Sequence, residues 1–82
     1  MSPTIFRIHG FRFFFFSREE TRMHIHVQSS NGEAKFWLEP AIKLVRNHGL
    51  SETDLVVIES ILKERKDEIL DAWDRHFGTR SN

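Results

Sequence analysis

The chain has no cysteine and no tyrosine. Without thiols it can hold neither a disulfide staple nor a thiolate metal site, which fits a reducing compartment. Net charge is missing as well, because twelve basic side chains balance twelve acidic ones. No global positive field therefore draws the chain onto nucleic acid, and any such contact needs a local patch. Long apolar runs are also lacking. Phe13-Phe14-Phe15-Phe16 is far too short for a membrane span, and MSPTIFRIHG lacks the uninterrupted apolar stretch of a secretory leader. Neither a repeat nor a low-complexity segment appears. The expectation is a cytoplasmic protein with no membrane contact.

What is present is aromatic and compact. Eighty-two residues suffice for a single domain, 1–82, and the means of building its core are eight Phe and two Trp, with six of the Phe in the first sixteen positions. The patterning changes near residue 50. Before it, apolar and polar residues alternate; after it, they follow a helical period. The fold class this implies is α+β: an antiparallel meander of four or five strands over 1–47, with one long helix over 51–77 packed on a single face.

Two hairpins set the meander. His9-Gly10 forms the first loop, so Ile8 faces Phe11, Arg7 faces Arg12 and Phe6 faces Phe13. Phe6, Ile8, Phe11, Phe13 and Phe15 then share one face, while Arg7, Arg12, Phe14 and Phe16 share the other. Asn31-Gly32, the strongest short turn signal, forms the second loop. It pairs His26 with Trp37, Ile25 with Leu38 and His24 with Glu39. Met23, Ile25, Val27, Ala34, Phe36 and Leu38 point to the core. His24, His26, Gln28, Lys35, Trp37 and Glu39 point away from it. Pro40 ends the ladder because it has no amide to donate. Residues 41–47 read as an edge strand with Ile42 and Leu44 inward, or as a single helical turn; we take the strand.

The helix opens at Ser51, with Asp54 as the capping acid and Leu50 and Leu55 at staple spacing. Leu55, Ile58, Ile61, Leu62, Ile69 and Trp73 hold the period, and Gly78 offers the stop. At about 1.5 Å per residue the helix would outrun the sheet, leaving or bending from the core in the charged stretch 63–68. Ile69, Leu70, Trp73 and Phe77 then form an uncovered stripe, which predicts a homodimer or a protein partner; the competing outcome is a helix that bends near Lys66 and folds its last turns back over its own sheet.

The residues that could carry chemistry lie on the second sheet face. His24 and His26, at i and i+2 on one strand, could both reach one zinc ion, with Glu39 as a third ligand; His9 and His48 are placed elsewhere. No cofactor is otherwise expected. The wider face joins Arg7, Arg12, His24, His26, Gln28, Lys35, Trp37 and Glu39, with Phe14 and Phe16 beside them. Aromatic platforms next to cations suit single-stranded RNA. The same groups could cleave it, with His24 or His26 as general acid or base and Arg12 and Lys35 steadying the phosphorane charge. A face of this kind also buries readily against a partner chain, the Arg stems covering the aromatics.

The strings PTIFRIHGFRFFFFSRE, HIHVQ, GEAKFWLEP, NHGLS and ILDAW, in this order and spacing, resemble the small bacterial proteins of domain-of-unknown-function family 4160 (DUF4160). The resemblance covers nearly the whole chain. It departs at TRMHIHV, where many members carry a Pro-rich run, which bears on the conformation of that loop. No established activity comes with it. Members commonly sit beside genes for a small family ending in a helix-turn-helix. The resemblance therefore implies a toxin–antitoxin-type module with this chain as the toxin-like, partner-binding half.

Overall fold

The computed structural model describes residues 4–15 and 22–77. Five strands, β1 (Thr4–Ile8), β2 (Phe11–Phe14), β3 (His24–Ser29), β4 (Gly32–Trp37) and β5 (Lys43–His48), precede two helices, α1 (Glu52–Glu64) and α2 (Lys66–Phe77). The strands form one antiparallel sheet in the order β1-β2-β3-β4-β5. The class is α+β, with the five-stranded sheet expected and two helices where one was expected. Phe16 and Gly78, which the sequence singles out, lie outside the described residues.

The first hairpin follows its turn chemistry. His9 (φ 54) and Gly10 (φ 81) both take the left-handed conformation that a two-residue loop of this twist needs. Ile8 pairs with Phe11, Arg7 with Arg12 and Phe6 with Phe13. The second hairpin corrects the expected register. Its loop is Ser30-Asn31, Gly32 already pairs with Ser29, and every partner moves by two: His24 faces Trp37, and His26 faces Lys35. Two residues is the side-chain period of a strand, so the faces stay as expected although the partners change.

Gly32 serves a different need from the turn. A Cβ there would collide with the carbonyl of His48, where the end of β5 passes over it. Gly49, at φ +92, presses in the same way on the carbonyl of Asn31. The glycine that signals a turn in the sequence is the one that lets β5 close on β4.

The core lies between one sheet face and the helices. Phe11, Phe13, Phe15, Met23, Ile25, Val27, Ala34, Phe36 and Leu38 meet Leu50, Ile58, Ile61, Leu62, Ile69 and Trp73. Ile42 packs against this cluster, but Leu44 does not turn fully inward and remains 36% exposed. The reason is a bulge. Lys35 pairs with Arg46 and Phe36 with Leu44, so Val45 is the extra residue and the strand twists away there.

Ser51 caps α1 as expected: its hydroxyl accepts from the Asp54 N–H, and its own N–H donates to the Asp54 carboxylate. The single long helix is the larger correction. Arg65 leaves helical geometry (φ −108, ψ 20), although its N–H still reaches the Ile61 carbonyl and the Ile69 N–H reaches its own carbonyl. No Pro or Gly lies at this break. Just past it Ile69 and Trp73 are buried, worth roughly 1.5–3 kcal/mol for each large apolar side chain. Both side chains are buried by their own chain, and Leu70 and Phe77 pack partly against the same core. Of the stripe on which a dimer was expected, Ile69 and Trp73 are thus covered by their own chain and Leu70 and Phe77 in part. Among the described residues no helix is long and apolar enough to cross a membrane.

Candidate functional site

Strand alternation lays the second sheet face out in rows. One row runs Arg7, Arg12, Gln28, Glu33, His48; the next runs Phe14, His26, Lys35, Arg46; the third runs His24, Trp37, Lys43. Cations and rings thus lie side by side on this face, Arg12 next to Phe14 and Lys35 next to Trp37. The contacts follow from that placement. The Arg12 guanidinium lies 4.2 Å from the centroid of Phe14, which stacks on His26 at 5.5 Å and 23°. Arg22 lies 4.1 Å and the Lys35 ammonium 4.9 Å from the Trp37 ring.

Hydrogen bonds fix the same cations. Arg12 Nε donates to Thr4 Oγ1 at 2.6 Å, and its terminal nitrogen donates to Gln28 Oε1 at 3.4 Å. Arg22 donates through two nitrogens to the carbonyl of Glu39, each at 3.3 Å. The Lys35 side chain is only 7% exposed, so its stem is packed while its head lies over an indole. Phe14, placed on this face by the sequence, is buried beneath Arg12 rather than offered to solvent.

The histidine pair divides. His24 is fully buried, its ring meeting Trp73 at 5.5 Å, Trp37 at 6.1 Å and His26 at 5.2 Å, all edge to face. Its Nδ1 lies 2.7 Å from the carbonyl of Arg22, and a carbonyl only accepts, so Nδ1 carries the proton. The side chain expected on an open face is instead sealed by α2, whose Trp73 also touches Phe15 at 5.2 Å. His26 is the member of the pair that reaches the surface. Glu39, the expected third ligand, lies past the end of β4, and Trp37 takes the position opposite His24. Among the described residues no three His, Asp or Glu side chains gather closely enough to hold a metal ion. His9 sits at the first turn and His48 at the far end of β5.

Of the expected face, then, Arg7, Arg12, His26, Gln28, Lys35 and Trp37 share one surface, with His24 beneath it and Glu39 at its border. Sequence reasoning missed Arg22, Lys43 and Arg46. Counting charges by segment would have pointed to them. Residues 1–50 carry seven basic and four acidic side chains, and residues 51–82 carry five basic and eight acidic. A neutral chain thus hides a basic sheet layer and an acidic helical layer.

A model of the family described as "Domain of unknown function (DUF4160)" matches residues 10–74. No curated protein and no solved structure matches the chain.

Proposed function

Since this chain belongs to the DUF4160 family, whose function is unknown, we propose from its geometry that it is a partner-binding protein whose basic sheet face grips an acidic protein surface. The observation that carries this is the holding of Arg12, Arg22 and Lys35 against Phe14 and Trp37. A cation already fixed in place does not lose its rotamer freedom on binding, a saving of about 0.5–1.5 kcal/mol for each side chain. Arg12 and Arg22, the two of these that reach solvent, favour binding by roughly 1–3 kcal/mol over two mobile cations, with Lys35 nearly enclosed beside them. The same contacts argue against RNA as first occupant. Bases stack on exposed rings, whereas here each ring already carries a cation, at about 0.5–1 kcal/mol per contact to displace. For catalysis, His24 lies beneath the surface and only His26 of the pair is placed to reach a substrate proton.

The resemblance to two-gene toxin–antitoxin-type modules indicates where the partner would be sought, in the product of the adjoining gene. The direct test uses two polyanions. Poly-glutamate should bind the protein, weaken with added salt, and weaken again in the Arg12→Ala and Lys35→Ala variants. Tighter binding of poly-uridylate than of poly-glutamate, lost with the same two substitutions, would replace the protein partner by RNA.

A further inference from the structure

The sheet has two edges, and they are treated differently. Along β1, Ile5, Phe6 and Ile8 pack against the core, and Arg65 from the helix bend covers Phe6 at 5.5 Å. Along β5 all six residues, Lys43 to His48, are exposed, Leu44 and Val45 among them. β5 closes the strand order, so its outer row of N–H and C=O groups has no strand neighbour among the described residues. Such a row is a template for another strand.

Its side chains decide which strand. If β5 met a second copy of itself antiparallel, centred between Leu44 and Val45, Lys43 would lie opposite Arg46 twice over. Like charges directly opposite are destabilising, so that register, the one that would pair Leu44 with Val45, is disfavoured. An acidic strand meets the reverse situation. Lys43 and Arg46 sit in the rows of Trp37 and Lys35, so acidic residues laid beside them would extend the basic face by one strand. The intervening residues of that strand would cover Leu44 on the other side.

We propose that β5 is a strand-accepting edge, which takes from the partner an extended segment whose alternate residues are acidic and whose others are apolar. This rests on the acidic-partner reading above and adds how the partner is held. Backbone hydrogen bonds would supply affinity, and alternate side chains specificity.

The probes are two peptides of about eight residues, enough to span β5, one alternating Glu with Val and the other Lys with Val. The Glu peptide should bind and slow amide exchange across Lys43–His48. A Glu peptide N-methylated on alternate backbone nitrogens should bind at least tenfold more weakly, because it cannot donate to the edge. Lys43→Glu with Arg46→Glu, at exposed positions, should reverse the preference toward the Lys peptide. Binding that survives both the methylation and the reversal, yet disappears with Arg12→Ala and Lys35→Ala, overturns strand acceptance and leaves the sheet-face reading intact. Binding that needs β5 but ignores Arg12 and Lys35 keeps the edge and removes the face. A wild type that sediments as a dimer, with β5 amides protected before any peptide is added, overturns the proposal in favour of self-pairing.

Discussion

Replacing Trp73 by Ala tests the bend at Arg65 most directly. Trp73 is 6% exposed and touches Phe15, His24 and Phe77, with ring centroids 5.2, 5.5 and 4.1 Å away. Truncating a buried Trp typically costs about 3–5 kcal/mol, from lost burial and from the cavity left behind. A domain of this length holds on the order of 4–12 kcal/mol in all, so the variant would be strongly destabilised. At about 4–8 °C per kcal/mol, its melting temperature should fall by at least roughly 12 °C. Trp73→Phe keeps most of the ring and should lose about half as much. Urea unfolding followed by far-ultraviolet circular dichroism gives the free energy, and sedimentation velocity gives the mass. The expected outcome is a wild-type monomer and a variant of low stability with unchanged mass. A variant less than about 1 kcal/mol weaker, derived from a wild type that sediments as a dimer and loses that state on substitution, would refute it. The helix would then run straight and bury Trp73 against another chain.

Gly32→Ala should destabilise by about 2–3 kcal/mol, because its Cβ meets the His48 backbone, while Gly10→Ala should cost only about 1 kcal/mol, for φ alone. Equal losses in urea titrations would mean that both glycines are simply turn residues. Ser51→Ala removes the cap of α1 and should cost about 1 kcal/mol, read from the same titrations; no change would show the capping hydrogen bonds to be idle. Excess zinc should leave the melting temperature unchanged, while His24→Ala should lower it through lost packing. A zinc-dependent rise that His24→Ala or His26→Ala abolishes would restore the metal reading.

Much of the sheet is legible in the sequence because a strand's side-chain period is two. The faces of β3 and β4 can be read from Ile25, Val27, Ala34 and Phe36 even when the partners are misplaced, since the register error was itself two residues. The partners were misplaced because a glycine after Asn has two uses, and only the approach of β5 shows which one Gly32 serves. The burial of His24 was not legible. Its cover comes from Trp73, almost fifty residues later, and depends on a bend that no Pro or Gly announces. Arg46 was hidden by the bulge at Val45, which shifts the alternation midway along β5, whereas Lys43 already falls on the open face once Ile42 and Leu44 are read as inward. Arg22 contributes by lying over the Trp37 ring, a contact between side chains that periodicity does not describe.

The order in which the layers are made has a consequence for synthesis. Every strand pairs with its neighbour in sequence, so the Phe-rich hairpins can form as they emerge, without waiting for distant segments. Their inner face must wait. Phe13 and Phe15 are finally enclosed by Ile69 and Trp73, which follow nearly sixty residues later. At about 5–20 residues per second that interval is on the order of 3–12 s, long compared with hairpin formation in microseconds. For those seconds a half-made chain would present a sheet with a bare aromatic face and an open β5 edge. That nascent species, more than the finished fold, is where a holdase or an early partner would matter for yield.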